Sequence, residues 1–136
     1  MKRIRVLIAD DHGVVRKGLR FLLSAEPGME VVAEASNGRE AIELAAQHRP
    51  EVAILDIAMP LLSGIEAAAQ ITRDDARTGV IILSMYSDEE FVLRALSCGA
   101  KGYLLKDSAE SDLVRAVQTV ADGRPFFSPA ITQMLL

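Results

Sequence analysis

The chain has 136 residues, with 15 basic against 19 acidic side chains and a formal net charge of −4 when both histidines are neutral. That length predicts one domain with its own core, and a composition half hydrophobic and one quarter charged excludes intrinsic disorder. A single cysteine excludes a disulfide framework or a cysteine-rich metal site, and an acidic chain is poorly suited to grip phosphate backbones unaided.

In chain order, short apolar runs alternate with segments of helical period. Ile4 to Ala9 is β-branched and reads as a buried strand. Val14, Val15, Leu19, Leu22 and Leu23 then recur at three- and four-residue spacing, the stripe of an amphipathic helix that Pro27-Gly28 ends. Glu30 to Ala35 is a second strand, and Asn37-Gly38 turns into a helix with Ala41, Ile42 and Ala45 that stops at Pro50. Val52 to Leu55 is short, wholly apolar and followed by Asp56. After Met59-Pro60 and Ser63-Gly64 comes an alanine-rich helix from about Ile65 to Arg73.

Gly79 opens a fourth strand, Val80 to Leu83. The next helix takes Ser87 or Asp88 as its cap and ends at Gly99, with Glu89 and Glu90 near its positive end. Gly102 to Leu105 is a fifth strand, and Ser108 caps a helix with Leu113, Val117 and Val120 that runs to Gly123. Five β-α repeats whose strands are apolar throughout predict a parallel, doubly wound α/β domain with both sheet faces covered. No run approaches the ~20 apolar residues of a membrane span, and Met1 to Ile4 leads into Asp10-Asp11 rather than a signal-peptide core, so a cytoplasmic protein is expected.

In an open parallel sheet, ligands bind beyond the carboxyl ends of the strands. The first strand is followed by Asp10-Asp11, the third by Asp56, the fourth by Ser84 and the fifth by Lys106. Clustered carboxylates need a hard cation, and Mg²⁺ takes one or two carboxylates with water and a phosphate oxygen. A carboxylate can attack phosphorus, and lysine and serine can serve the phosphoryl oxygens.

This set resembles the receiver domain of two-component response regulators over nearly the whole chain. The resembling residues are Asp10-Asp11, Asp56 with Met59-Pro60 and Gly64, Ser84, and Lys106 at the end of Gly102-Tyr103-Leu104-Leu105-Lys106. Ala9 to His12, Leu83 to Tyr86 and Lys101 to Asp107 look most like the NarL/FixJ subgroup, in which a LuxR-type helix-turn-helix domain usually follows. The resemblance implies a flavodoxin-like, CheY-like (βα)5 fold with a five-stranded parallel sheet in the order 2-1-3-4-5. It implies that Asp56 accepts a phosphoryl group from a sensor histidine kinase. Asp10, Asp11, Asp56 and the backbone carbonyl of Ala58 would hold Mg²⁺, Lys106 and Ser84 would serve the phosphoryl group, and Tyr103 would be the aromatic switch beside Ser84. The expected output is phosphorylation-dependent homodimerisation and transcription regulation, with DNA bound only through a C-terminal domain absent from this chain and no membrane contact. A stand-alone receiver acting through protein–protein contacts is the alternative.

An aspartyl-phosphate phosphatase is disfavoured, because the position two residues after Asp56, where such enzymes carry a general acid/base, is Ala58. A flavodoxin-like cofactor binder is disfavoured because no Gly/Ser/Thr-rich phosphate loop follows the first strand. Taken singly, Asp10-Asp11 could cap a helix, Asp56 and Lys106 could be polar strand ends, and Tyr103 serves core packing as readily as switching. His12 is placed in the first helical turn, partly exposed, and Cys98 is read as a buried small hydrophobe. Met85 and Tyr86 fit either core filling or a partner-facing patch. Residues 1–123 are expected to form the receiver. In residues 124–136, turn-rich up to Pro129 with Ser128 as an N-cap, a linker or extra helix is expected, cut before an effector domain; docking back onto the receiver is the other possibility.

Overall fold

The computed structural model describes residues 3–136. Six strands form one parallel sheet: β1 (Ile4–Ala9), β2 (Met29–Ala35), β3 (Val52–Asp56), β4 (Gly79–Ser84), β5 (Gly102–Leu105) and β6 (Phe126–Phe127), in the order β2-β1-β3-β4-β5-β6. The helices are α1 (Gly13–Ser24), α2 (Gly38–His48), α3 (Gly64–Asp74), α4 (Glu89–Ser97), α5 (Ala109–Ala121) and α6 (Pro129–Leu135), with a 3-10 turn at Lys106–Ser108.

The unbroken apolar runs behave as their composition requires. Every residue of β3 and β4 is buried, because the sheet is covered on both faces. Val6, Ile8, Ile54 and Leu104 pack with Leu19 and Leu23 of α1 and Leu113 and Val117 of α5. Leu7, Leu55, Val80 and Ile82 pack on the other face with Ala41 and Ala45 of α2, Ala67, Ala68 and Ile71 of α3, and Val92 and Ala95 of α4. The many alanines on that second face let three helices lie close to the sheet.

Local signals explain most of the boundaries. Asn37 caps α2 by accepting from the Glu40 amide, and Ser63 and Glu66 form a reciprocal capping box at α3. Gly99 ends the α4 segment with φ +91°, a conformation other residues adopt only with strain.

The five-stranded expectation needs correcting. The sheet has a sixth strand, because Phe126 donates its amide to Lys101 O at 3.0 Å and Ser128 donates to Tyr103 O at 3.2 Å. Two residues flanked by Pro125 and Pro129 leave little strand signal in the sequence, but the phenylalanines alternate as a strand demands. Phe126 packs on the α5 face, where Arg115 lies over its ring at 5.3 Å, and Phe127 packs on the α4 face. Among the described residues, no helix is long and apolar enough to cross a membrane.

Candidate functional site

β1, β3 and β5 deliver three ionisable groups to one rim. Asp10 lies just past β1, Asp56 closes β3, and Lys106 follows β5. Asp10 and Asp56 are buried, at 0% and 1% exposure. Lys106 Nζ lies 3.2 Å from Asp56 Oδ2 and 3.7 Å from Asp10 Oδ2, so one ammonium faces two carboxylates. Asp56 Oδ1 accepts the Ala58 amide at 3.3 Å. Asp10 Oδ1 accepts the His12 amide at 2.9 Å, an Asx-type turn that aims Oδ2 at the cluster.

Neither acid of the pair caps α1. The N-cap is His12, whose own side chain makes no capping bond. The imidazole is outside the first helical turn and exposed, with Nδ1 3.3 Å from Asp10 Oδ1 and 3.2 Å from Asp11 Oδ1. Asp11 is the partly exposed member of the set.

Burial is the main influence pushing the Asp56 carboxyl above its usual range, and the nearby charge of Asp10 adds to it. The charge and hydrogen bond of Lys106 and the Ala58 amide pull it back. A carboxyl raised on folding favours the fold when protonated. That contribution is complete below the ordinary carboxylate range and is lost as pH rises through the raised value. Asp56→Asn, which cannot ionise, should therefore melt above the parent chain at pH 7. The two should converge as pH falls below the ordinary carboxylate range. Thermal denaturation at stepped pH checks this, and a variant melting below the parent at pH 7 contradicts it.

The donor set fits a hard divalent cation on two observations. Ligand atoms of Asp10, Asp11, His12 and Asp56 all lie within 4.8 Å of one another. Asp10 Oδ2 is buried without a hydrogen-bond partner, and the one ammonium near it is shared with Asp56, which leaves negative charge for a further cation to balance.

Ser84 closes β4, between the strands that carry Asp56 and Lys106, and is joined to Tyr103 of β5 through one residue. Ser84 is fully buried and its Oγ accepts the Tyr86 amide at 2.9 Å. Tyr103 is 1% exposed and its hydroxyl donates to Tyr86 O at 2.7 Å. The Tyr86 ring stacks on Phe91 of α4, with centroids 5.2 Å apart. Tyr103 thus packs in the core and touches the β4–α4 loop at once. Met85 and Tyr86 are both exposed, Tyr86 less so with its ring against Phe91. Cys98, at the end of α4, is half-buried rather than buried.

Sequence reasoning missed Arg16 and did not show the contact that Gly64 makes. Arg16 Nη1 donates to Asp10 O at 2.6 Å and fixes the backbone below the cluster. Gly64 lies against the backbone of Asp56 and Ile57. Away from the cluster, Ser108 and Ser128, both expected as N-caps, bond one another. Gly64 stood in the resembling set, but a glycine after Ser63 reads equally well as a turn, and its approach to the Asp56 backbone has no signal in the sequence.

A parallel α/β sheet thus carries an acid–lysine cluster on its carboxyl rim, the side on which such folds bind ligands. The model of the response regulator receiver domain matches residues 6–118, and the chain belongs to that family. It is 42% identical over 134 residues to the oxygen regulatory protein NreC of Staphylococcus epidermidis. That match takes in 98% of this chain and 62% of NreC, so the chain spans under two thirds of the relative's length. A LuxR-family two-component response regulator from Aurantimonas sp. superposes with a TM-score of 0.92 at 36% identity, over 97% of this chain and 94% of that one. The signal receiver domain of a NarL response regulator from Mycobacterium tuberculosis gives 0.88 at 39% identity, over 91% and 100% respectively.

Proposed function

We propose that this receiver takes a phosphoryl group on Asp56 from a sensor histidine kinase and uses it to control a transcription factor in the cytoplasm. The observation that carries the reading is the buried Asp56 held against Lys106, beside an Asp10 oxygen that has no hydrogen-bond partner. An Asp56 oxygen attacks phosphorus, the bond from phosphorus to the kinase imidazole breaks, and the imidazole leaves with its electron pair. Lys106 supplies a fixed positive charge to the phosphoryl oxygens, and the burial of Asp56 keeps water from competing. Asp10, Asp11, Asp56 and the Ala58 carbonyl would hold Mg²⁺. When bound, Mg²⁺ would supply charge neutralisation on the transferring phosphoryl oxygens. With Ala58 in place of a general acid/base, hydrolysis of the product is slow self-dephosphorylation rather than turnover.

Switching runs through Tyr86. Recruitment of Ser84 Oγ by the phosphoryl group competes with its bond to the Tyr86 amide, and Tyr86 O holds the Tyr103 hydroxyl. The Tyr103 ring already fills the interior, so the moving part in this reading is the β4–α4 loop with α4, a two-state element biased by local charge. Homodimerisation is assigned to α1 and α5. The free edge of β5 is taken by β6, and α1 carries the exposed Val14 and Phe21. Residues 124–136 would begin the connection to a C-terminal DNA-binding domain, in keeping with relatives longer than this chain.

The test uses acetyl phosphate with Mg²⁺. The parent chain should be phosphorylated, and a chelator should abolish it. Lys106→Ala should still be labelled, within about tenfold of the parent rate, yet fail to dimerise in sedimentation. A Lys106→Ala protein that dimerises as the parent does contradicts the role given to Lys106.

A further inference from the structure

Besides the backbone pairing of β6 with β5, the C-terminal segment is held to the sheet by the side chain of one buried polar residue. Ser128 is 1% exposed and is the N-cap of α6, yet its side chain makes no capping bond. The Leu105 amide donates to Ser128 Oγ at 3.2 Å, Ser128 Oγ lies 3.3 Å from Ser108 Oγ, and Ser108 Oγ donates to Leu105 O at 3.2 Å. Each hydroxyl has one proton. With that of Ser108 on Leu105 O, the proton of Ser128 goes to Ser108 Oγ, and the bonds close a ring on one residue of β5. The next residue in the chain is Lys106, and Ser108 ends the same 3-10 turn. Beyond Ser128, Ile131 is fully buried in the apolar cluster that contains Tyr103.

We propose that Ser128 is a clasp through which the state of Asp56 sets how firmly residues 126–135 are held, and that phosphorylation loosens them. The proposal rests on the reading of Asp56 as phosphoacceptor. Lys106 Nζ and Asp56 Oδ2 are one hydrogen bond apart, which leaves no room for phosphorus and its oxygens between them. In transfer from acetyl phosphate, an Asp56 oxygen bonds to phosphorus, the bond from phosphorus to the acetyl oxygen breaks, and acetate leaves. Lys106 must then withdraw to pair with the phosphoryl oxygens, and it carries the Lys106–Ser108 turn with it. Ser108 belongs to both the turn and the ring, so this motion strains the bonds to Ser128. The bonds of a closed ring polarise and support one another, so loss of one weakens the rest. Loss of the clasp leaves α6 attached by Ile131 with its apolar neighbours and by the backbone pairing of β6 just before it.

Hydrogen exchange on the whole chain tests this, with Mg²⁺ alone and with Mg²⁺ plus acetyl phosphate, while intact mass reports the phosphorylated fraction of the same sample. The Ile131 and Thr132 amides, which donate to Ser128 O, should exchange about tenfold faster after phosphorylation, with β1 and β3 unchanged. In Ser128→Ala they should be fast from the start and phosphorylation should add less than about twofold, at undiminished labelling. Ser108→Ala breaks the ring from its other side and should behave alike. Unchanged or slower exchange in a phosphorylated chain overturns the clasp, as does a tenfold response that survives in both variants. Failure of the parent chain to be labelled instead overturns the phosphoacceptor reading, and the clasp falls with it.

Discussion

Asp56→Asn will take no phosphoryl group from acetyl phosphate and Mg²⁺ under conditions that label the parent chain stoichiometrically. The substitution is nearly isosteric, and an amide oxygen can still accept the Ala58 amide, so the fold has no reason to change. What is lost is the nucleophile, because a neutral amide lacks the carboxylate's available charge and electron pair. The other acids are poor substitutes. Asp10 is fully buried with Oδ1 committed to the His12 amide, and Asp11 is displaced towards solvent beside His12. Labelling should fall by at least about a hundredfold, in line with loss of an essential catalytic group. Stoichiometric label on the variant would mean that another side chain is the acceptor.

Gly64→Ala should be the most damaging single-methyl change near the site. Gly64 begins α3, where alanine is the better helix former by about 1 kcal/mol, so propensity alone predicts a gain. A Cβ there would clash with Asp56 O and lie 2.8 Å from Asp56 C and 2.9 Å from Ile57 Cα. These are backbone atoms of a buried strand end and cannot rotate aside. The Gly64 amide also donates to Ile57 O at 3.0 Å, so α3 cannot withdraw without breaking that bond. Overpacking of this kind costs about 1–3 kcal/mol and more when backbone must move, which outweighs the helix gain. The clash falls on the residue proposed to carry the phosphoryl group, so labelling should slow together with the loss of stability. Chemical denaturation and labelling rates measured side by side check this. A variant as stable and as quickly labelled as the parent contradicts it.

Much of the fold is legible in residue order. Apolar runs without alternation announce a sheet covered on both faces, and Asn37, Ser63 and Gly99 mark boundaries through local backbone chemistry. The rim residues are legible because a parallel sheet delivers its strand ends to one side whatever the helices do. β6 was not legible, since its pairing is a contact with Lys101 and Tyr103 rather than a pattern in Phe126-Phe127. The same holds for the Ser108–Ser128 contact, which joins residues 20 apart. Asp10 had a local alternative as a helix cap. The structure gives the capping position to His12 and brings Asp10 to Lys106 across the two intervening strands, β3 and β4, and neither is a local signal.

The most direct measurement is to locate the phosphoryl group itself. The parent chain is treated with acetyl phosphate and Mg²⁺, the acyl phosphate is reduced with borohydride, and the peptides are sequenced by mass spectrometry. The account predicts homoserine at position 56 and nowhere else, lost when a chelator replaces Mg²⁺. Homoserine at Asp10 or Asp11, or a phosphoryl group on any residue other than Asp56, would contradict it.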